Sequence, residues 1–438
     1  MSTPQIYTVA GIGIGPFNLG LAALTAPLKE IKAIFFDQSD EFNWHPGLLF
    51  SNATLQTPFL CDCVTMADPT SPYSFLNFLK ETGRLYKFFI RENFFVLRKE
   101  YNRYCKWVAT QLPACKFSHQ VLLVTYTAGL YEITVQHTAT KVISTYYAEK
   151  LVLGTGTVPA MPAFSATVNG SQVVHTANYL HQRASLLERN SVTLIGSGQS
   201  AAEVFYDLLQ HRSGHLSLNW FTRPDRFFPM EYSKLTLELT SPDFVDYFHG
   251  MPARKRKDML KQQQSQFKGI NYSLINDIYD ALYEMSVEDE NVRVNIQPGV
   301  QLNDIRDHAT GGLELNLEEL AQQQSFTVYT DAVILGTGYK YHEPAFLEGI
   351  QERIARNSDG SFKVHRHYAI DQNGNEIFVQ NAETHTHSLI STDLGMGAYR
   401  NSCIINQIVG REVYKTETRI AFQDFGVPAS LRSTAVIS

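Results

Sequence analysis

The chain has 438 residues, of which 44% are hydrophobic and 18% are charged, which suits a folded globular protein of two or three domains. Its formal net charge of −6 excludes a general nucleic-acid-binding protein, because no strong basic field is available for phosphate backbones. The N-terminal residues do not form a secretion signal, and no apolar run reaches about 18 residues, so we expect a cytoplasmic protein outside the membrane. The five cysteines form no CxxC pair, and we expect reduced thiols and no metal site.

The first organising motif lies near the N-terminus, where an apolar run enters a cluster of glycines. This pattern predicts a strand, a tight turn and a helix that bind a dinucleotide. Gly13 permits the turn, Gly15 lets the backbone approach a pyrophosphate, and Pro16 suits the first helical turn. Asn18 stands where the third glycine of the motif usually lies. The next buried strand ends at Asp37, which we expect to accept a hydrogen bond from a ribose hydroxyl.

A second motif of the same kind runs from Gly196 to Ser200 with the sequence Gly-Ser-Gly-Gln-Ser. The strand after it ends at Arg223 and not at an acid, and an arginine suits the 2′-phosphate of NADP through a charge-assisted contact. Two motifs therefore predict two dinucleotides, the second of them NADP. An internal duplication with one inactive site is the alternative that these residues leave open.

Three segments together resemble one enzyme family: Gly13 to Leu19, Gly196 to Ala201, and Leu335 to Tyr339. The segments Trp44 to Gly47 and Thr386-His387 resemble the same family. The chain is similar over nearly its whole length to the flavin-dependent N-hydroxylating monooxygenases of siderophore biosynthesis, which act on lysine, ornithine or diamines.

The resemblance implies an α/β fold with two Rossmann-like domains. An FAD-binding domain comprises residues 1–165 plus 340–438, and an NADPH-binding domain comprises residues 166–339. Residues 229–290 form a smaller, mostly helical substrate-binding insertion in the second domain. In such enzymes NADPH reduces FAD, the reduced flavin takes up O2, and the flavin hydroperoxide passes one oxygen atom to a primary amine. This chemistry needs neither a catalytic triad nor a pair of carboxylates.

The resemblance also assigns site residues. Gln56 is implied beside the flavin, and Asn271 is implied between the nicotinamide and the substrate; these two are the predicted catalytic residues. From the residues alone, Trp44 and His45 fit either a flavin wall or ordinary loop packing. The implied cofactor-binding residues are Gly13, Gly15, Pro16, Phe17, Asn18, Asp37, Gln38, Trp44, His45, Gln56, Gly196, Ser197, Gly198, Gln199, Ser200, Arg223, Thr337, Tyr339 and Leu394.

The substrate prediction depends on two replaced polar residues. By the resemblance, amino-acid-using relatives carry a lysine at the position of Cys61, where it binds the substrate carboxylate, and ornithine-using relatives carry an asparagine near the position of Leu237. Because a buried carboxylate without a cation is costly, we expect a diamine, putrescine or cadaverine, with lysine or ornithine as the alternative. Glu238 and Asp62 are the candidate acceptors for the distal ammonium. The predicted substrate-site residues are Cys61, Leu237, Glu238 and Asn271.

Three rival classes share parts of this pattern. A disulfide reductase needs a redox cysteine pair beside the flavin, and Cys61 and Cys63 have the wrong spacing and context for it. The usual signature of Baeyer–Villiger monooxygenases is not evident. A non-catalytic flavin-binding regulatory protein stays open, and a visible spectrum with NADPH oxidation would separate it from an enzyme. We expect a small-molecule amine and O2 as partners, and a homo-oligomer, either a tetramer or a dimer.

Overall fold

The computed structural model describes residues 4–168, 172–289, 291–309 and 311–427. The strands are β1 (Ile6–Ile12), β2 (Ala33–Phe36), β3 (Thr54–Pro58), β4 (Phe95–Leu97), β5 (Cys115–Lys116), β6 (His119–Thr127), β7 (Leu130–His137), β8 (Ile143–Leu153), β9 (Thr157–Pro159), β10 (Val173–His175), β11 (Ser191–Ile195), β12 (Ser217–Thr222), β13 (Val294–Pro298), β14 (Val300–Asp307), β15 (Leu313–Glu319), β16 (Gln324–Thr330), β17 (Ala332–Leu335), β18 (Tyr339–Tyr341) and β19 (Ile377–Val379). The helices are α1 (Pro16–Thr25), α2 (Phe75–Glu81), α3 (Leu85–Arg91), α4 (Arg98–Thr110), α5 (Tyr179–Leu187), α6 (Gln199–His211), α7 (Lys234–Leu237), α8 (Pro242–His249), α9 (Ala253–Gln262), α10 (Ser265–Lys268), α11 (Tyr272–Glu288), α12 (Thr384–His387) and α13 (Gly397–Val409).

The first sheet is built around β1 and β8. Its strand order is β5-β2-β1-β8-β7-β6, and β19 also pairs with β8. The strands β1, β2, β5, β8 and β19 pair in parallel, whereas β6 and β7 extend the sheet in antiparallel pairs. Ile12 pairs with both Phe36 and Leu153. The turn after β1, the acid after β2 and the glycines after β8 therefore meet at one edge of the sheet.

The strand β1 is buried on both faces because its side chains are mostly apolar. On one face Val9 belongs to a cluster that includes Leu19 of α1 and Tyr104 of α4. On the other face Ala10 and Ile12 belong to a cluster with β7 and β8. This double burial fixes the position of the glycine turn that follows β1.

The second sheet is smaller and wholly parallel, with the order β10-β17-β11-β12-β13. Ile195 pairs with both Leu335 and Phe221, so the second glycine turn and the ends of β12 and β17 meet at one edge. An antiparallel sheet, β14-β15-β16, which the sequence analysis does not predict, packs on this sheet through Val300 and Leu313. Both parallel sheets thus present a glycine turn at the carboxyl ends of their strands, where open α/β sheets bind ligands.

Two neighbouring strands carry the chain between the sheets. β9 and β18 pair in antiparallel fashion, with Tyr339 opposite Pro159. In chain order the helices α7 to α11 lie between β12 and β13, and Val245 of α8 packs against Ile390 and Met396. This contact brings α8 against the segment that precedes α13. None of the described helices has the length and apolar character needed to cross a bilayer.

His387 is a buried histidine whose titration we expect to weaken the fold in acid. Its ring is fully buried, stacks on Tyr368 and lies 3.0 Å from the carbonyl oxygen of Arg366. Burial, reinforced by neighbouring positive charges, lowers the pKa of His387 well below its usual value. The unfolded chain therefore takes up the proton first, and the free energy of unfolding should fall as pH drops below about 6.5, by up to about 1.4 kcal/mol per pH unit.

Urea unfolding between about pH 7 and pH 5 measures this slope. The variant His387→Gln should flatten it. The matched variant His181→Gln changes an exposed histidine of α5 and should leave the slope unchanged. An identical slope in all three proteins would show that His387 does not contribute.

Candidate active site

A cleft of about 980 Å³ lies between the two sheets and the helical insertion. This volume is at the upper end of the range of roughly 300–1,000 Å³ that is usual for small-molecule sites. Many of the predicted site residues line it: Trp44, His45, Gln56, Gly196, Ser197, Gly198, Gln199, Ser200, Arg223, Leu237, Thr337, Tyr339 and Leu394. The residues of the first glycine turn lie outside this cleft, at the edge of the first sheet.

The first glycine turn has the geometry that the sequence predicts. Gly13 has φ +87°, and a Cβ on it would lie 2.4 Å from the carbonyl oxygen of Gly154. Gly15 precedes α1 with no side-chain cap on the helix, and a Cβ on it would meet no atom within 4 Å. Pro16 occupies the first turn of α1. The turn therefore leaves open space above backbone N–H groups, which fits the phosphates of a dinucleotide.

Asn18 supports this turn from inside the protein. It is fully buried, its Nδ2 donates to the Gly13 carbonyl oxygen at 2.8 Å, and its Oδ1 accepts from Gln380 Nε2 at 2.6 Å. A Cβ on Gly154 would lie 2.5 Å from Asn18 Nδ2. Asn18 thus joins the ends of β1, β8 and β19. Its side-chain amide is enclosed by these strands, and its assignment as a cofactor-binding residue stays a prediction.

Asp37 also holds the first turn. Its Oδ2 accepts from the backbone N–H of Ile14 at 2.7 Å, and its Oδ1 accepts from the N–H of Ser39 at 2.9 Å. Each oxygen keeps a second lone pair, so a ribose contact stays a prediction. Gln38 follows at an exposed position. Phe17 lies beneath the guanidinium of Arg400, 4.4 Å from ring centre to Cζ.

Aromatic rings form one wall of the cleft. Trp44 and His45 lie with ring centroids 4.8 Å apart, and His45 and Tyr339 lie 5.7 Å apart. Desolvation within the cleft, together with the charge of Arg98, lowers the pKa of His45 to about 4, so its imidazole is neutral near pH 7. Within the described chain, the buried hydroxyl of Tyr339 has no hydrogen-bond partner. Flat apolar faces with an available donor fit a planar aromatic cofactor.

The two predicted catalytic residues lie in direct contact. Gln56 Oε1 accepts from Asn271 Nδ2 at 2.8 Å and from the hydroxyl of Tyr232 at 2.7 Å. Asn271 Oδ1 caps α11 by accepting from the N–H of Ser273 at 2.9 Å. Both ends of the Asn271 amide are thereby fixed. This arrangement holds the β3 strand and the helical insertion together at one point of the cleft.

The same network continues to α6 and α4. The backbone N–H of Asn271 donates to Gln199 Oε1 at 2.8 Å, and Gln199 Nε2 donates to Glu203 Oε1 at 2.8 Å. Arg98 of α4 holds Glu203 in a two-point ion pair at 2.7 and 2.6 Å. Arg98 and Glu203, which sequence reasoning missed, are 105 positions apart, so their pairing follows only from the tertiary structure.

The second glycine turn repeats the geometry of the first. Gly196 has φ +143°, and a Cβ on it would lie 2.3 Å from the carbonyl oxygen of Gly336. Gly198 precedes α6 without a side-chain cap, and a Cβ on it would lie 3.7 Å from the carbonyl oxygen of Lys268. Arg223 and Lys268 line the cleft on this side, and the charge of Arg223 contributes to a lowered pKa of Lys268, whose main cause is desolvation. Positive charge beside a bare helix start fits a phosphorylated ligand.

The two predicted acceptors for the ammonium, Asp62 and Glu238, already accept hydrogen bonds from backbone N–H groups. Asp62 is buried, and its carboxylate accepts from the N–H groups of Val64 and Phe75 at 2.9 and 2.6 Å. Glu238 accepts from the N–H groups of Phe422 and Gln423 at 2.8 and 3.0 Å. Neither carboxylate lines the cleft among the residues described. Both carboxylates already accept these backbone hydrogen bonds, and a role for Asp62 or Glu238 as the ammonium acceptor stays a prediction.

Of the two replaced residues, Leu237 is among those that line the cleft and Cys61 is not. Leu237 lines it and is 46% exposed. Cys61 lies beside the segment of residues 393–395: a Cβ on Gly395 would be 3.1 Å from Cys61 Sγ. Burial and the charge of Asp393 raise the pKa of the Cys61 thiol to about 12, so the thiol is neutral.

Asp393 is a cleft residue that sequence reasoning did not assign. It lines the cleft, and its Oδ1 accepts from the N–H of Gly395 at 2.7 Å. The cations among the described residues that line the cleft are Arg98, Arg223 and Lys268. In the sequence, Asp393 is recognisable only as an acid shortly after the Thr386-His387 segment. Sequence spacing alone does not tell whether such an acid faces a ligand.

The fold and the cleft together define an oxidoreductase with two dinucleotide-binding domains. The chain belongs to the L-lysine 6-monooxygenase/L-ornithine 5-monooxygenase family, whose model matches residues 5–341. This confirms the family resemblance and the α/β fold class that the sequence predicts.

Similar proteins are known in several bacteria. The chain is 48% identical over 434 residues to a putrescine N-hydroxylase of Shewanella oneidensis, covering 97% of this chain and 86% of that protein. It is 46% identical over 429 residues to an alcaligin biosynthesis enzyme of Bordetella pertussis, covering 97% and 93%. It resembles the crystal structure of the FAD-bound cadaverine monooxygenase of desferrioxamine biosynthesis from Erwinia amylovora, with a TM-score of 0.94, 46% identity and coverage of 97% and 99%.

Proposed function

We propose that this protein is an FAD- and NADPH-dependent monooxygenase that N-hydroxylates one primary amine of a diamine, putrescine or cadaverine, in hydroxamate siderophore biosynthesis. The distribution of charged side chains in the cleft carries the proposal. The carboxylate of Asp393 lies beside Cys61. The cations Arg223 and Lys268 lie on the side of the second glycine turn, and Arg98 is held in its ion pair with Glu203. A substrate with two amines and no carboxylate suits this arrangement. The similar proteins described as putrescine and cadaverine enzymes support the same reading.

The residues at hand fit both cofactors. The turn at Gly13 and Gly15 would hold the FAD pyrophosphate, and the wall of Trp44, His45 and Tyr339 would hold its ring system. The turn at Gly196 to Ser200, with Arg223, would hold NADPH. When bound, the flavin supplies the activation of O2: one oxygen atom goes to the amine and the other leaves as water, with two electrons from NADPH.

The side chains would position the amine and keep it reactive. Gln56 and Asn271 meet where β3 faces the start of α11; the Asn271 amide is held at both of its ends, and Gln56 Oε1 accepts two hydrogen bonds. A rigidly held amide beside the reacting amine can orient it without adding a charge. The neutral His45 and the apolar cleft wall favour the uncharged amine, because desolvation disfavours an ammonium.

We also propose the domain division and the assembly. Residues 1–165 plus 340–438 would form the FAD domain, and residues 166–339 with the 229–290 insertion would form the NADPH domain, in a cytoplasmic homo-oligomer. Two exposed apolar stripes support the oligomer. One is on α3, where Tyr86, Phe89 and Ile90 are 78%, 70% and 72% exposed, and the other is on α11, where Tyr279 and Tyr283 are 68% and 63% exposed. Large contiguous apolar surfaces mark contacts between proteins.

Product formation with a panel of amines tests the function. We expect NADPH-dependent hydroxylamine formation with putrescine or cadaverine at a kcat/KM at least about tenfold above that with ornithine or lysine, since no cation among the described residues lines the cleft beside Cys61 to pair with the carboxylate of an amino acid. NADPH oxidation must be measured alongside product, because peroxide can leave without hydroxylating the amine. Efficient turnover of ornithine or lysine alone would overturn the proposal.

A further inference from the structure

We infer that Asp393 binds the distal ammonium of the diamine while the other amine is hydroxylated. The inference rests on the proposed function and adds the residue that sets the substrate class. It takes the place of Glu238 and Asp62, neither of which lines the cleft among the described residues.

The geometry of Asp393 leaves one carboxylate oxygen available. Asp393 caps the short 3-10 turn Leu394–Met396, and its Oδ1 accepts from the N–H of Gly395 at 2.7 Å. Its Oδ2 accepts no hydrogen bond from residues 4–168, 172–289, 291–309 or 311–427, and the residue lines the cleft. A partly buried carboxylate with one fixed and one open oxygen suits an ammonium donor.

Asp393 lies where an amino-acid substrate would need the opposite charge. A Cβ on Gly395 would be 3.1 Å from both Asp393 Oδ1 and Cys61 Sγ, so the two side chains share one small space. By the family resemblance, amino-acid-using relatives carry a carboxylate-binding lysine at the position of Cys61. A short neutral thiol beside a carboxylate therefore reverses the charge of this subsite, attracting an ammonium and repelling a carboxylate.

Tyr232 connects this subsite to the predicted catalytic residues. Its hydroxyl donates to Gln56 Oε1 at 2.7 Å, and burial together with the charge of Asp393 raises the pKa of Tyr232 above its usual value. The distal ammonium at Asp393 and the reacting amine near Gln56 would thus both lie beside the ring of Tyr232. Burial also raises the pKa of Asp393, and an ammonium at Oδ2 would favour the charged carboxylate by supplying the missing partner.

The other acid at the cleft is a weaker anchor. Glu231 lines the cleft but is exposed, and its Oε1 accepts from the N–H of Ser233 at 2.7 Å. Exposed ion pairs contribute little because water and salt screen them. Asp393 is more enclosed than Glu231, so an ion pair at Asp393 is less screened and discriminates more strongly between a diamine and other amines.

The test compares diamines with a monoamine of the same length. Hydroxylamine formation is measured for wild type and Asp393→Asn with putrescine, cadaverine and n-butylamine. Asparagine keeps an oxygen for the N–H of Gly395, so the turn is preserved. We expect kcat/KM for the diamines to fall about 10- to 100-fold, mainly through KM, while kcat/KM for n-butylamine stays the same or rises.

The matched variant is Glu231→Gln, which removes the exposed acid and should keep the wild-type preference for diamines over n-butylamine. FAD content and NADPH oxidation without amine confirm that each variant is folded and loaded. An unchanged preference in Asp393→Asn, or its loss in Glu231→Gln, would overturn the inference while leaving diamine hydroxylation intact. A wild-type protein that hydroxylates no diamine would overturn the proposed function, and the inference with it.

Discussion

Gly15→Ala is expected to yield a folded protein that loses most of its FAD. Gly15 has an ordinary extended conformation, with φ −81°, and a Cβ on it would meet no protein atom within 4 Å. The polypeptide therefore accepts alanine at this position without strain. If a pyrophosphate lies against this backbone, the added methyl group blocks its approach, and we expect the Kd for FAD to rise by at least about tenfold, equivalent to about 1.4 kcal/mol.

The measurement is the flavin absorbance of purified protein, with a titration of apoprotein by FAD and a thermal unfolding curve of each apoprotein. Gly13→Ala is the matched variant: its φ of +87° and the 2.4 Å approach to the Gly154 carbonyl oxygen forbid a side chain, so it should be destabilised even without FAD. Gly15→Ala with normal FAD affinity would place the cofactor away from this turn.

Arg400→Met is expected to lower the free energy of unfolding by about 3–5 kcal/mol, because it leaves a buried carboxylate unpaired. Arg400 is 1% exposed. Its Nη1 donates to Glu383 Oε1 at 2.7 Å and to the Ser391 carbonyl oxygen at 3.0 Å, and its guanidinium covers the ring of Phe17. The substitution should also reduce FAD retention, since Phe17 belongs to the first turn of α1.

Urea unfolding followed by intrinsic fluorescence, with flavin release recorded in parallel, measures both effects. The double variant with Glu383→Gln is the control, because the amide removes the charge while keeping an oxygen for the N–H of Ala382. It should recover part of the lost stability, and a double-mutant cycle gives the coupling between the two residues. A single variant within about 0.5 kcal/mol of wild type would contradict a stabilising role for the pair.

The amino-acid sequence by itself determined the parts of the protein that depend on local backbone geometry. Gly13 and Gly196 each follow an apolar strand, and no other residue type accepts both their φ angles and the close carbonyl oxygens behind them. A turn of this kind has few conformations, so its function can be predicted from spacing. The family resemblance alone implied Gln56 and Asn271 as catalytic residues, and the structure places their side chains in contact at 2.8 Å.

Only the tertiary structure decided which polar side chains face the cleft and which hold the backbone. Asn18, Asp62 and Glu238 each suit ligand binding by residue type, yet distant segments take their hydrogen bonds. Asp393 became a candidate because its neighbours leave one of its oxygens open. The physical reason is that a carboxylate or amide serves backbone and ligand equally well, and its partner is fixed by long-range packing that sequence spacing does not encode.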